Sequence, residues 1–250
     1  MATSRDIGDP VELGDVVAVW AHPDDETYLA GGVMAALRSA GRRVVCVTAT
    51  RGEAADPAAT PEERAALAAI RTEELDAALA HLGVEEHHWL DLPDGGCAGV
   101  DAGPVIAGLA EVLDDVRPAT VLTFGPDGFT GHPDHCAVSR WTDDAVGRAR
   151  TKPRLLHAVT QDPAVDPSLD EDFGVFELGR PRTCADDELA LRLHLTGRAL
   201  DQKVEALLLQ RSQTAGLLAA VGLERFARWV ADEQWAPPAE RARPVSRSAR

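Results

Sequence analysis

The sequence predicts an α/β fold: a Rossmann-like, mostly parallel sheet with helices on both faces. Three observations predict it. Between residues 16 and 149 the hydrophobic period switches repeatedly from strand-like to helix-like. The strand segments are continuous apolar runs, as in strands covered on both sides. Among 250 residues, no linker separates the βα series from the rest of the chain, so one domain is expected.

The elements come in this order. Val16 to Ala21 reads as a buried strand. Glu26 to Ala40 reads as a helix, closed by Gly41 where a C′ glycine belongs. Arg43 to Ala49, rich in β-branched residues, is the second strand. Thr60-Pro61-Glu62-Glu63 has the form of a capping box with proline at N1, opening a helix to about Leu82 that stops at Gly83. His87 to Leu92 is a short strand and Pro104 to Val116 a helix. Ala119 to Phe124 is another buried strand. A Gly/Pro/Asp-rich loop then leads to a helix from Pro133 to Ala149. Arg154 to Thr160 reads as a strand, and Asp162 to Asp172 as a loop broken by Pro163 and Pro167. Leu191, Leu193 and Leu195 alternate with polar residues, predicting a half-exposed strand. Gly197 to Gln213 returns to helix. The expected organisation is a flexible segment 1–14, one domain over 15–235 and a flexible tail over 236–250.

Charge narrows the partners. Acidic residues outnumber basic ones 41 to 25, giving a net charge of −16. Binding a phosphate backbone needs clustered Lys and Arg, and here they cluster only in the tail Glu240 to Arg250. Nucleic acid and membrane surfaces are therefore not expected, whereas a small molecule or a metal ion is. The run Val16 to Ala21 is far short of the roughly 18 apolar residues of a membrane span. The first fifteen residues have no apolar core of the kind a signal peptide needs, so the expected location is cytoplasmic. Four dispersed cysteines give no disulfide or CxxC pattern, and Cys46 and Cys136 read as packing residues.

Two loops carry the chemistry. Ala21-His22-Pro23-Asp24-Asp25-Glu26 follows the first strand. Gly131-His132-Pro133-Asp134-His135 lies beyond the strand ending at Phe124. In a parallel sheet, loops after strands gather at the carboxyl edge, and ligands bind where the strand order reverses, often between the first and fourth strands. Both loops are thus expected at one crevice. A catalytic zinc takes three protein ligands and leaves one position for water. His22 and Asp25 are close enough for one turn to aim both at a point, and an imidazole of the second loop completes the set. Pro23 and Pro133 stiffen the loops by fixing φ after each histidine. The competing reading is that these are polar turn residues; two such loops, each after a buried strand, weigh against it.

With those motifs in place, the sequence resembles the LmbE-like (PIG-L) zinc-dependent N-deacetylases. The segments at 21–26 and 132–135 look like the family's two signatures. Thr50-Arg51-Gly52-Glu53, Arg71-Thr72-Glu73-Glu74-Leu75, and Lys203 with Ser212-Gln213 are similar to its weaker motifs, so the resemblance covers about residues 15 to 215. It implies His22, Asp25 and His135 as zinc ligands, and Asp24 as general base. It implies a protonated His132 as the group that stabilises the oxyanion and serves the leaving amine. Arg71 and Asp94 align with substrate-contacting positions; apart from the resemblance, Asp134 is placed to orient one of the histidines. Each has a plainer reading: an i,i+3 pair with Glu74 for Arg71, a turn for Asp94, a helix N-terminal charge for Asp134 and Glu26, and core packing for Trp20. Where some members carry a tyrosine against the reacting carbonyl, this chain has Thr130.

The resemblance implies a hydrolase that removes an N-acetyl group from an N-acetylglucosaminyl-type small molecule, on a thiol-biosynthesis or natural-product route. The alternative is an amidase on a larger N-acyl or thiol conjugate; a non-catalytic metal-binding protein is a further rival. Zinc is the expected ion, and iron(II) tolerates the same two-histidine, one-carboxylate set. The partner is an amino-sugar conjugate, and a homo-oligomer stays open. A nucleotide-binding role lacks its GxGxxG or P-loop. Residues 93–103 and 160–185 are expected to set specificity.

Overall fold

A computed structural model describes residues 6–161 and 172–239. Its seven strands form one sheet in the order β3-β2-β1-β4-β5-β7-β6. They are β1 (Val16–Trp20), β2 (Val44–Thr48), β3 (Glu86–Trp89), β4 (Thr120–Phe124), β5 (Arg154–Ala158), β6 (Leu191–His194) and β7 (Asp232–Ala236). The first five are mutually parallel, and β7 runs antiparallel to both β5 and β6. Strands β1, β2 and β4 are buried along their whole length. That is why they read as unbroken apolar runs rather than alternating ones.

The helices are α1 (Asp25–Ser39), α2 (Pro61–His81), α3 (Ala102–Val116), α4 (Pro133–Arg148), α5 (Gly197–Leu209), α6 (Arg211–Val221) and α7 (Leu223–Trp229). Helices α3 and α4 pack together, while α5 packs on α1 and α2. The capping box forms: the Glu63 N–H donates to Thr60 Oγ1 at 3.2 Å, and the Thr60 N–H to Glu63 Oε2 at 2.8 Å. Gly83 ends α2 at a φ of 79°, where a side chain would be strained. Among the described residues no helix is long and apolar enough to cross a membrane.

The strand order reverses at β1. Strands β2 and β3 build out on one side, and β4 and β5 on the other. This places the crevice of an open α/β sheet at the carboxyl ends of β1 and β4. Both His-Asp loops leave from there.

The structure departs from the sequence expectations mainly after residue 195. The helix expected over Gly197 to Gln213 is two helices, broken at Gln210 (φ −89°, ψ 54°), whose side chain turns into the protein. Helix α7 and strand β7 have no counterpart among the expected elements. Residues Asp232 to Ala236 look too polar for an interior strand, yet Glu233 is buried because Lys203 Nζ meets it at 2.7 Å. Strand β6 is more buried than expected, since Arg192 is held beside Asp186 at 3.1 Å. The expected flexible N-terminal segment is held from Ile7 onward. Ile7 bridges to Arg192, and Asp9 caps a short 3-10 turn that buries Leu13. Ala236 ends β7 and is buried. The loop expected over 162–172 lies, apart from Asp172, outside the described residues.

Candidate active site

Each loop is shaped by its own sequence. In the first, Asp24 precedes α1 with a φ of 99°, a conformation that costs of order 1–3 kcal/mol for a residue with a side chain. Its N–H donates to Glu26 Oε2 at 3.0 Å. Glu26 Oε1 accepts from Thr27 Oγ1 at 2.5 Å and from Gln210 Nε2 at 2.7 Å. Arg71, buried on α2, donates to the carbonyls of Gly52 (2.9 Å) and Pro23 (2.5 Å), with Asp24 Oδ2 at 3.4 Å. A Cβ at Gly52 would collide with Arg71 Nη1, so only glycine admits the guanidinium. In the second loop, His132 caps α4, its Nδ1 accepting the Asp134 N–H at 3.3 Å. That bond leaves the neutral ring's proton on Nε2.

The loops bring three side chains together. His22 Nδ1 lies 3.0 Å from His135 Nε2 and 3.6 Å from Asp25 Oδ2, and His135 Nε2 lies 3.4 Å from Asp25 Oδ1. A tetrahedral ion with bonds of about 2.0–2.1 Å holds its ligand atoms about 3.3 Å apart. Each pair stands near that spacing, although the two histidines meet different Asp25 oxygens and Oδ2 also accepts the His22 N–H at 2.8 Å. His132 lies close enough to form an all-histidine group with the other two rings. The far side of each ring is fixed as a metal ligand's should be. His135 Nδ1 meets the Gly128 carbonyl at 2.9 Å, and its ring stacks on Phe124 at 4.2 Å. His22 Nε2 meets Asp94 Oδ1 at 3.0 Å and Asp134 Oδ2 at 3.4 Å. Those carboxylates are otherwise occupied. Asp134 accepts from the Gly95 and Cys97 N–H groups, and Asp94 from that of Ala54. The His132 ring centroid stands 4.9 Å from His22 and 5.0 Å from His135.

Electrostatics follow from burial and pairing. Burial works to lower the His22 pKa, but Asp134 and Asp94 outweigh it and hold the ring up at about 10. Burial, with His22 nearby, pushes His135 down to about 4. Burial also lowers His132, with the charge of His22 adding to it. Asp24 is pushed up to about 8 by burial, with Asp25 and Glu26 adding to the rise and Arg71 opposing it. Burial raises Glu26 to about 7. Burial works against Asp94, but its contact with His22 holds it at about 2.

The expected residues thus converge on one crevice. Arg71 contacts the first loop rather than Glu74, which instead accepts from the Ser212 N–H and hydroxyl. Asp94 lies against a histidine rather than in a free turn. Thr130 Oγ1 is 3.5 Å from His135 Nδ1. Sequence reasoning missed Gln210 and Thr27, which hold Glu26 from below. Nothing local marks Gln210, because its partner is 184 positions away.

The α/β sheet thus carries, at the carboxyl ends of β1 and β4, a cluster of histidines and aspartates of the kind that could hold a metal ion. The PIG-L family model, described as GlcNAc-PI de-N-acetylase, matches residues 17–146, and the chain belongs to this family. A 1D-myo-inositol 2-acetamido-2-deoxy-alpha-D-glucopyranoside deacetylase of Kineococcus radiotolerans is 38% identical over 182 residues, covering 57% of this chain and 50% of that protein. The protein of the same name from Corynebacterium glutamicum (strain R) is 32% identical over 216 residues, covering 77% and 72%. The chain spans about half the length of the first curated relatives it matches. The solved N,N'-diacetylchitobiose deacetylase of Pyrococcus horikoshii shares the fold at a TM-score of 0.63 and 22% identity, over 90% of this chain and 84% of that one.

Proposed function

We propose that the chain is a zinc-dependent hydrolase that removes the N-acetyl group from an amino-sugar conjugate. The carrying observation is the spacing of His22 Nδ1, His135 Nε2 and the Asp25 carboxylate, with Asp24 next in the same loop and its Oδ2 3.4 Å from Arg71 Nη2. The sugar assignment draws support from the names of the relatives, and the location we propose is cytoplasmic. Iron(II) suits the same donors.

His22, Asp25 and His135 would hold the ion. When bound, zinc lowers the pKa of water toward about 7 and polarises a carbonyl. Asp24 takes a proton from the attacking water as general base. The Arg71 guanidinium opposes the upward push of burial and so favours the ionised carboxylate that a base needs. Arg71 keeps Asp24 in place through Pro23 and Gly52. His132, neutral with its proton on Nε2, donates a hydrogen bond to the oxyanion; one such donor is worth roughly 3–4 kcal/mol in a water-excluded site. This differs from the protonated His132 of the sequence reading, because Nδ1 accepts the Asp134 N–H and so carries no proton of its own. Asp94 and Asp134 fix His22 with Nδ1 toward the ion, a positioning role beside the substrate contact expected for Asp94.

The test is amine release from a panel of N-acetylated amino-sugar conjugates, using metal-stripped protein with and without added zinc. Release only with zinc is expected. No release despite one bound zinc per chain would overturn the reading.

A further inference from the structure

Beside the donor cluster lies a cavity of about 520 Å³, within the range of roughly 300–1,000 Å³ typical of sites for drug-sized ligands. An acetyl group has three heavy atoms and needs little more room than a few waters of about 30 Å³ each. Asp25, His135 and Thr130 stand in its lining, together with Phe129, Phe176, Phe226 and Trp229. These walls join the cavity to the apolar cluster of Phe226, Leu207 and Val230. Strand β7 contributes Gln234, while Glu233 and Trp235 point to its opposite face. The buried Gln234 Oε1 has no hydrogen-bond partner among the described residues.

The two sides of the donor cluster differ. None of Asp24, Arg71, Asp94 or His132 lines the cavity; they form the polar side. A sugar's hydroxyls find charged partners in these four residues, whereas the cavity lining, which includes Thr160, Arg228, Asp232 and Gln234, is mostly apolar. The group across the scissile carbon then points into the apolar side.

We propose that this cavity is an acyl pocket, so that the enzyme cleaves amino sugars bearing an apolar N-acyl group of about six to ten carbons in preference to N-acetyl. The inference rests on the amide hydrolysis proposed above. The reaction balances as a hydrolysis: water adds to the acyl carbon, the C–N bond breaks, and a proton goes to the amine, giving a carboxylic acid and a free amino sugar. Gln234 Oε1 offers an acceptor to a hydroxyl or amide N–H carried on the chain.

The test uses the zinc-loaded full chain with N-acetyl-, N-butanoyl- and N-octanoylglucosamine, and with octyl N-acetylglucosaminide. We expect kcat/KM to rise at least tenfold from N-acetyl to N-octanoyl. Val175→Trp, which fills the cavity from a loop, should erase that rise, and Leu217→Trp on α6 serves if the first variant misfolds. Val175→Ala should keep it. Cleavage of N-acetyl with no gain for longer chains, or preference for the octyl glycoside, overturns the acyl pocket and leaves amide hydrolysis standing. If no amide is cleaved, the hydrolase reading falls and calorimetry decides the pocket. At least tenfold tighter binding of N-octanoyl- than N-acetylglucosamine retains it, and equal binding removes it.

Discussion

The parallel strands β1 to β5 and the antiparallel pair β6–β7 are held in different ways. The parallel part buries apolar runs between helices that follow in sequence, so local pattern and global fold agree. The antiparallel part is fastened by buried polar contacts from far along the chain. Glu233 accepts from the Gly32 and Val33 N–H groups of α1 and from Lys203. Gln210 reaches Glu26 at the foot of the first His-Asp loop. The C-terminal part therefore braces a site that the first part supplies, and it encloses the apolar cavity beside that site.

The sharpest division of labour appears at Asp24. Asp24→Asn should lower kcat by about 10²–10⁴-fold, the usual yield of a general base, while zinc stoichiometry stays at one by metal analysis. Loss of zinc together with activity would show that the loop holds metal and base as one unit, and the assignment of Asp24 as base would fall.

Breaking the brace should cost stability next. Lys203 and Glu233 are both buried. Lys203→Met leaves Glu233 charged without its partner, which costs about 3–5 kcal/mol. Urea unfolding measures this. A loss below about 1 kcal/mol would mean that the two N–H groups of α1 alone stabilise the carboxylate, and that the contrast between the two regions is weaker than drawn.

A milder cut links the two regions directly. Gln210→Leu removes one donor to Glu26, at a cost of about 1–3 kcal/mol for a buried group left unpaired. Because Glu26 holds the Asp24 N–H, kcat should fall several-fold with KM and zinc content little changed, and Gln210→Asn should not restore the reach. If kcat is unaffected, the C-terminal helices support only the fold.

This division explains what was legible in the sequence. The βα alternation, the capping box at Thr60 and the reversal at β1 follow from local periodicity and from rules for parallel sheets. The two histidine loops were legible because each stands directly after a buried strand or before a helix. Strand β7 was hidden because Asp232-Glu233-Gln234 looks solvent-facing until Lys203 is placed opposite it. The break at Gln210 was hidden because glutamine is a good helix former whose reason for leaving the helix lies in Glu26. The acceptor role of Asp94 toward His22 was hidden in what looks like a Gly-rich turn.

The far edge of the parallel part offers the smallest effect and a control on the rest. On β3, His87 is pushed down to about 4 by burial, with the positive charges of His88 and Arg51 adding to the shift, and its Nε2 meets Thr48 Oγ1 at 3.0 Å. Between pH 4 and 6.5 the unfolded chain binds more protons at this residue than the folded one. Its contribution is therefore constant above pH 6.5 and is lost as pH falls toward 4. Going from pH 7.5 to 5.5 should cost about 1 kcal/mol through His87, allowing for its partial exposure. The Asp24 and Glu26 carboxyls also titrate on this path, so the reading is a difference: His87→Gln should lose less stability than the unmodified chain over the same interval. Equal losses in the two urea series would mean that β3 opens to water at mild acid, making this edge the least secured of the parallel strands.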